Sequence, residues 1–143
     1  MTIERLEIED IDKVIELYTQ LVDYENDIDT SEEIYGKMLE DENYHLLVAK
    51  EDGEILGTAL GVVCHSFSYK TKPFMVVEDV IVDKKHRRKG VAKMIFDEID
   101  RIAIENNCYF SILVSGDERK EAHIFYEKQG YIDKAKGFRK KYF

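Results

Sequence analysis

One junction constrains the fold of this chain more than any other stretch. The apolar run Phe74–Val82 passes through a short basic turn, Asp83–Lys89, straight into a segment that opens at Gly90. In that segment Val91, Ile95, Ile99, Ile102 and Ala103 recur on one helical face. A strand therefore feeds a helix N-terminus through a basic turn. Free backbone N–H groups and the positive end of a helix dipole then converge on one spot, which suits a phosphate or pyrophosphate. Gly90 and Ala92 carry little or no side chain, so an anion can approach the backbone closely. The strand itself is interrupted by two adjacent acids, Glu78 and Asp79.

Two common phosphate motifs are absent. The turn holds one glycine where the dinucleotide fingerprint needs G-x-G-x-x-G, and no P-loop pattern occurs. What stands there is Arg87-x-x-Gly90-x-Ala92. This resembles the Arg/Gln-x-x-Gly-x-Gly/Ala signature of the GNAT family of N-acetyltransferases, whose turn binds the pyrophosphate of acetyl-coenzyme A. Ala122-His-Ile-Phe-Tyr126-Glu-Lys-Gln-Gly130-Tyr131 is similar to the family's second signature, A-x-x-F/L-Y-E-K-x-G-F/Y. That segment also reads as a helix without the family. Ala122, Phe125 and Tyr126 share helical spacing, Asp117 or Ser115 can cap its start, and Gly130 suits the position just past its end. The two signatures stand in the family's order.

The rest of the chain agrees with one domain, residues 1–143. The pattern predicts strands over Thr2–Ile8, Tyr44–Lys50, Glu54–Phe67, Phe74–Val82 and Tyr109–Ser115. It predicts helices over Glu9–Tyr24, Ser31–Leu39 (capped by Ser31), Gly90–Asn106 and Asp117–Gln129. Asp52-Gly53 is a two-residue hairpin turn, and Tyr131–Phe143 suggests one or two closing strands. The fold class is α/β (α+β), a mixed sheet with helices on both faces. The resemblance implies the same architecture.

Net charge is −9, and its distribution is uneven. Residues 1–54 hold 18 acids and 4 bases; residues 55–143 hold 12 acids and 17 bases. The basic half contains the turn, with Lys84, Lys85, Arg87, Arg88, Lys89 and Lys93, a match for the phosphates of a coenzyme. The acidic half favours a cationic substrate, or simply solvates its helices. The acidic total disfavours nucleic acid, and no apolar stretch is long enough for a membrane span. The N-terminus, MTIERLEIEDID, lacks the apolar core of a signal peptide, so a cytoplasmic location is expected. Cys64 and Cys108 then read as reduced thiols. His45, His65, His86 and His123 show no metal-ligand spacing, and no metal is expected.

The resemblance implies direct acetyl transfer from acetyl-CoA to the primary amine of a small molecule, such as an amino sugar, a polyamine or an amino-acid-like amine. FYEKQGY is similar to the same stretch in amino-sugar members and in small bacterial amine or amino-acid acetyltransferases alike, and VVEDVIV to that of amino-sugar members; both stretches lie in the shared coenzyme half. Acetyl transfer to a protein or peptide amine is the alternative acceptor, and a non-catalytic acyl-CoA sensor the alternative to an enzyme. Glu78 is the expected general base and Tyr126 the expected general acid. Side chains alternate along a strand, so Asp79 points away from the face of Glu78 unless a bulge intervenes. Val80, Ile81 and Val82 carry the backbone expected to pair with the pantetheine arm. Arg87, Arg88, Lys89, Gly90, Val91, Ala92 and Lys93 form the expected coenzyme turn. Arg119 stands where many members carry a coenzyme-contacting asparagine. Tyr18, Tyr24 and Tyr35 line a substrate pocket or belong to the core. The aromatic C-terminus, Phe138 to Phe143, is available for a homodimer.

Overall fold

The computed structural model describes every residue, Met1–Phe143. Five strands form one sheet in the order β1 (Thr2–Arg5), β2 (Tyr44–Glu51), β3 (Glu54–Cys64), β4 (Phe74–Val82) and β5 (Ser111–Ile112). The first four are antiparallel, and β5 runs parallel to β4. Helices α1 (Ile11–Tyr18) and α2 (Ile28–Leu39) cover one face. Helices α3 (Val91–Glu105) and α4 (Lys120–Lys128) cover the other.

Each face buries its own set of side chains. Under α3 and α4 lie Leu47, Leu56, Ala59, Met75 and Val77, packed on Ile95, Phe96 and Ile99. Under α1 and α2 lie Leu46, Val48, Ile55 and Ile81. Asp52 and Gly53 both take positive φ, 50° and 80°, giving the primed turn that matches the twist of the β2–β3 hairpin. At Gly57 the sheet and α3 meet without room for a side chain. A Cβ there would lie 2.9 Å from the Ile81 carbonyl oxygen and 3.2 Å from Val91 Cγ1.

Several boundaries differ from the sequence expectation. The first helix stops at Tyr18, and the chain turns through Thr19–Tyr24, with Leu21 and Val22 both bonding back to the Tyr18 carbonyl. Helix α2 starts three residues earlier than expected. Its cap is Asp27, whose carboxylate accepts from Thr30 N–H at 2.7 Å, and Ser31 lies inside the first turn. Helix α4 starts at Lys120 without a side-chain cap, because Gly116–Arg119 first folds into a turn closed by Arg119 N–H on the Gly116 carbonyl. The β5 ladder keeps only two residues of Tyr109–Ser115. Past Ile132 no backbone hydrogen bond forms, so the expected closing strands are absent. Lys134, Lys136, Arg139, Lys140 and Lys141 stay exposed there, and charges of one sign resist being stacked beside one another in a ladder. Gly130, in contrast, takes the expected left-handed position after α4, with φ 95°. No helix is long and apolar enough to cross a membrane.

Asp10, 3% exposed, ties the start of α1 to β2. It accepts from Lys13 Nζ and Lys50 Nζ, each at 2.6 Å. These bonds, Lys13 first, hold its carboxyl below the usual range against the opposing effect of burial. A depressed folded pKa stabilises above the unfolded value and loses that stabilisation as pH falls through the folded one. Asp10→Asn should therefore cost about 1.5–3 kcal/mol at pH 7, and its deficit against wild type should shrink as pH drops below about 4. Urea unfolding at both pH values checks this, and equal stability at pH 7 would contradict it. Gly57→Ala should cost roughly 1–3 kcal/mol, because the opposing atom is backbone. Gly36→Ala, in open space inside α2, should gain about 0.5–1 kcal/mol by the same assay.

Candidate active site

The β4 strand carries an extra residue. Leu60 pairs with Glu78 and Thr58 with Ile81, so two steps along β3 oppose three along β4. Asp79 absorbs the insertion with φ 53°, a left-handed conformation that Asp tolerates better than most residues. The bulge corrects the alternation argument. Glu78 shares the face of its partner Leu60, which packs under α1 and α2. Asp79 lines the cavity on that same face instead of pointing away. Beyond the bulge, Val80 and Val82 pack toward α3 while Ile81 is buried under α1.

The two acids influence each other. Burial, then the neighbouring Asp79, raises the Glu78 carboxyl above its ordinary range, and Arg139 of the C-terminal segment opposes the rise. Burial raises Asp79 as well. A carboxylate shifted upward is a stronger proton acceptor at neutral pH.

On its other edge β4 is only partly paired. Met75 and Val76 meet Ser111 and Ile112, and no strand lies along that edge from Val77 to Val82. Tyr126 lies on the α3–α4 side of the sheet, 7% exposed, against Phe96, Phe125 and Tyr131. Glu78 and Tyr126 thus stand on opposite faces of the sheet. Burial raises the Tyr126 hydroxyl, with Arg119 pulling it back, so the tyrosine keeps its proton at neutral pH.

The turn after β4 is built for an anion. Asp83 caps a single 3-10 turn, Lys84–His86, by accepting from Lys85 N–H at 2.9 Å. Arg88 and Gly90 then take positive φ, 61° and 84°, and α3 begins at Val91. None of the backbone N–H groups from Arg87 through Lys93 donates to a protein acceptor; the first intrahelical bond is Met94 N–H to the Gly90 carbonyl. Arg87 Nε reaches the Val82 carbonyl at 3.4 Å, while Arg88 and Lys89 have no ion-pair partner. His86 is held by Glu54 at 3.2 Å, and Lys93 by Asp97 at 2.6 Å. Lys93 is thereby partly committed within its own helix.

A cavity of about 470 Å³ lies between α1, α2 and the sheet. Sequence reasoning left Tyr18, Tyr24 and Tyr35 open between pocket and core. All three line this cavity. Tyr35 is also core, its hydroxyl bonding the Leu6 carbonyl, whereas Tyr24 is 67% exposed at the rim. Sequence analysis missed Asp79 as a cavity residue. The signal was the pair of acids inside an apolar strand, a pattern that regular alternation cannot place on one face.

Residues 9–131 match the model of the acetyltransferase (GNAT) family, and the chain belongs to that family. It is 30% identical over 79 residues to a glucosamine 6-phosphate N-acetyltransferase of Trypanosoma brucei brucei, covering 55% of this chain. The match spans about half of that relative, 52% of its length. The crystal structure of glucosamine-6-phosphate N-acetyltransferase from Arabidopsis thaliana superposes with a TM-score of 0.89 at 27% identity, over 99% of this chain and 97% of that one. A putative acetyltransferase from Agrobacterium tumefaciens str. C58 shares the fold with a TM-score of 0.91 at 23% identity, over 99% of both chains.

Proposed function

We propose that this member of the family is an acetyl-coenzyme-A-dependent N-acetyltransferase that passes an acetyl group directly to the primary amine of a small molecule. The observation that carries the reading is the run of undonated N–H groups from Arg87 through Lys93, which includes the unpaired cations Arg88 and Lys89, at the start of α3. A pyrophosphate is the natural acceptor for such a set. From there the open edge of β4, Val80 to Val82, offers backbone groups to an extended amide-bearing arm. That path ends at the bulge, between the faces of Glu78 and Tyr126.

The chemistry follows from proton accounting. A lysine-like amine has a pKa of about 10.4, so presenting it neutral at pH 7 costs roughly 4–5 kcal/mol. Glu78, its carboxyl raised by its surroundings and by Asp79, accepts that proton directly or through water. The amine nitrogen bonds to the thioester carbonyl carbon, and the Val80 N–H offsets the charge gained by its oxygen. The carbon–sulfur bond then breaks, Tyr126 donates its proton to the departing thiolate, whose pKa is about 8.5, and the second proton of the attacking nitrogen passes through water to the tyrosinate, leaving a neutral amide. Arg119, close enough to act on the Tyr126 hydroxyl, steadies the tyrosinate left behind. Direct transfer is favoured over a cysteine intermediate, since burial raises Cys108 rather than activating it.

Glu78→Gln should lower kcat/KM by about 100-fold or more. It should also abolish the acidic limb of the pH profile. In the wild type that limb lies above the ordinary carboxylate range, because activity falls once Glu78 is protonated. Tyr126→Phe should slow kcat by a similar factor while leaving acetyl-CoA affinity unchanged. Thiol release measured over a range of amine concentrations, up to saturation, reads both. Unimpaired turnover in both variants would refute these roles.

A further inference from the structure

The cavity under α1 and α2 has a chemistry that narrows the acceptor. Its volume, about 470 Å³, falls in the range of small-ligand sites. Most of its lining is apolar, with Leu21, Ile34, Met38, Leu46 and Leu60 among the walls. Its charged residues are all acids, Asp79, Glu25 and Asp27, with no lysine, arginine or histidine. Asp27 is already committed to capping α2. Asp79 stands on the bulge, next to Glu78 in the chain, and Tyr18 lies close enough to feel its charge. Glu25 belongs to the segment with the exposed Tyr24. The Asp79 end of the cavity therefore attracts a cation beside the proposed base, and the rest of the lining is mainly hydrocarbon and aromatic, with Asn26, Thr30 and Ser31 as its neutral polar residues.

A phosphorylated amino sugar fits this lining badly. Its phosphate would be desolvated among carboxylates without a cation to pair with, which is costly. Most of its hydroxyls would face apolar side chains, because Asn26, Thr30 and Ser31 are the few neutral polar residues beside the tyrosines and the Ser31 hydroxyl already donates to the Asp27 carbonyl. A polyamine would have only Glu25 for a further ammonium, since Asp27 already caps α2 and the remaining walls are mostly apolar. We propose that the acceptor is an apolar monoamine: a primary ammonium on an aliphatic or aromatic body, bearing no phosphate, with its head at Asp79 and its body along Leu60, Met38 and Ile34. This rests on the acetyl-transfer reading and departs from the substrate named for the Trypanosoma and Arabidopsis relatives.

The test separates the two claims. Acetyl-CoA binding is measured by calorimetry without amine. Thiol release is then compared for phenethylamine, hexylamine, spermidine, glucosamine and glucosamine 6-phosphate. Phenethylamine or hexylamine should exceed glucosamine 6-phosphate in kcat/KM on the order of 100-fold. Asp79→Asn should raise the KM for the apolar amine about 10-fold or more with acetyl-CoA affinity unchanged. Ile34→Lys, at a partly exposed position, should shift the ratio toward glucosamine 6-phosphate. Faster turnover of glucosamine 6-phosphate, glucosamine or spermidine than of either apolar amine would overturn this inference and leave the acetyl-transfer reading standing. Acetyl-CoA binding without release on either apolar amine would also overturn it. Failure to bind acetyl-CoA would overturn both.

Discussion

The inserted residue in β4 is the constraint around which the site is arranged. A regular strand would send Glu78 and Asp79 to opposite faces and carry ladder pairing smoothly to its end. With Asp79 in the left-handed region, both acids face α1 and α2, and the strand re-aims beyond the bulge. Holding a non-glycine residue there costs on the order of 1 kcal/mol. Burial of Val77 before the bulge and Ile81 after it, 2% and 4% exposed, offsets that cost and fixes the bulge in register.

The helix start is registered to the same strand. Asp83 N–H bonds the Leu56 carbonyl just after β4 ends, and Gly57 lets the Ile81 carbonyl, Val91 and Ile95 approach the β3 backbone. The undonated N–H groups of the turn are thereby fixed relative to the bulge through buried backbone, not through flexible side chains. A ligand anchored at one end is held at a set distance from the acids at the other, which is how positioning lowers a bimolecular barrier. The charge asymmetry follows the same division. The N-terminal half supplies Glu25 and Asp27 to the cavity, and the C-terminal half supplies the cationic turn.

The parts of the fold with strong periodicity were legible in the sequence. Phe74–Val82 is a strand over the expected residues, and α3 falls one residue inside the expected Gly90–Asn106 at each end. The Asp52-Gly53 turn and Gly130 were readable because each needs a backbone conformation that few residues adopt. Less was legible where local signals competed. Ser31 and Asp27 are both good caps, and only the packed structure selects Asp27. Tyr131–Phe143 alternates enough to suggest strands, yet its cations leave it without ladder bonds. At the site, the basic turn was visible residue by residue. The shared face of Glu78 and Asp79 was not, because a bulge is a property of two strands in register and cannot be read from one.

We propose that the backbone from Arg87 through Lys93, locked in register with the β4 bulge, receives the coenzyme pyrophosphate. Hydrogen–deuterium exchange with and without acetyl-CoA tests it most directly, since the amides in question have no protein acceptor of their own. The account predicts strong slowing of exchange at Arg87–Lys93 on binding, with weaker slowing along Val80–Val82. Binding that leaves Arg87–Lys93 exchanging as fast as before would contradict it.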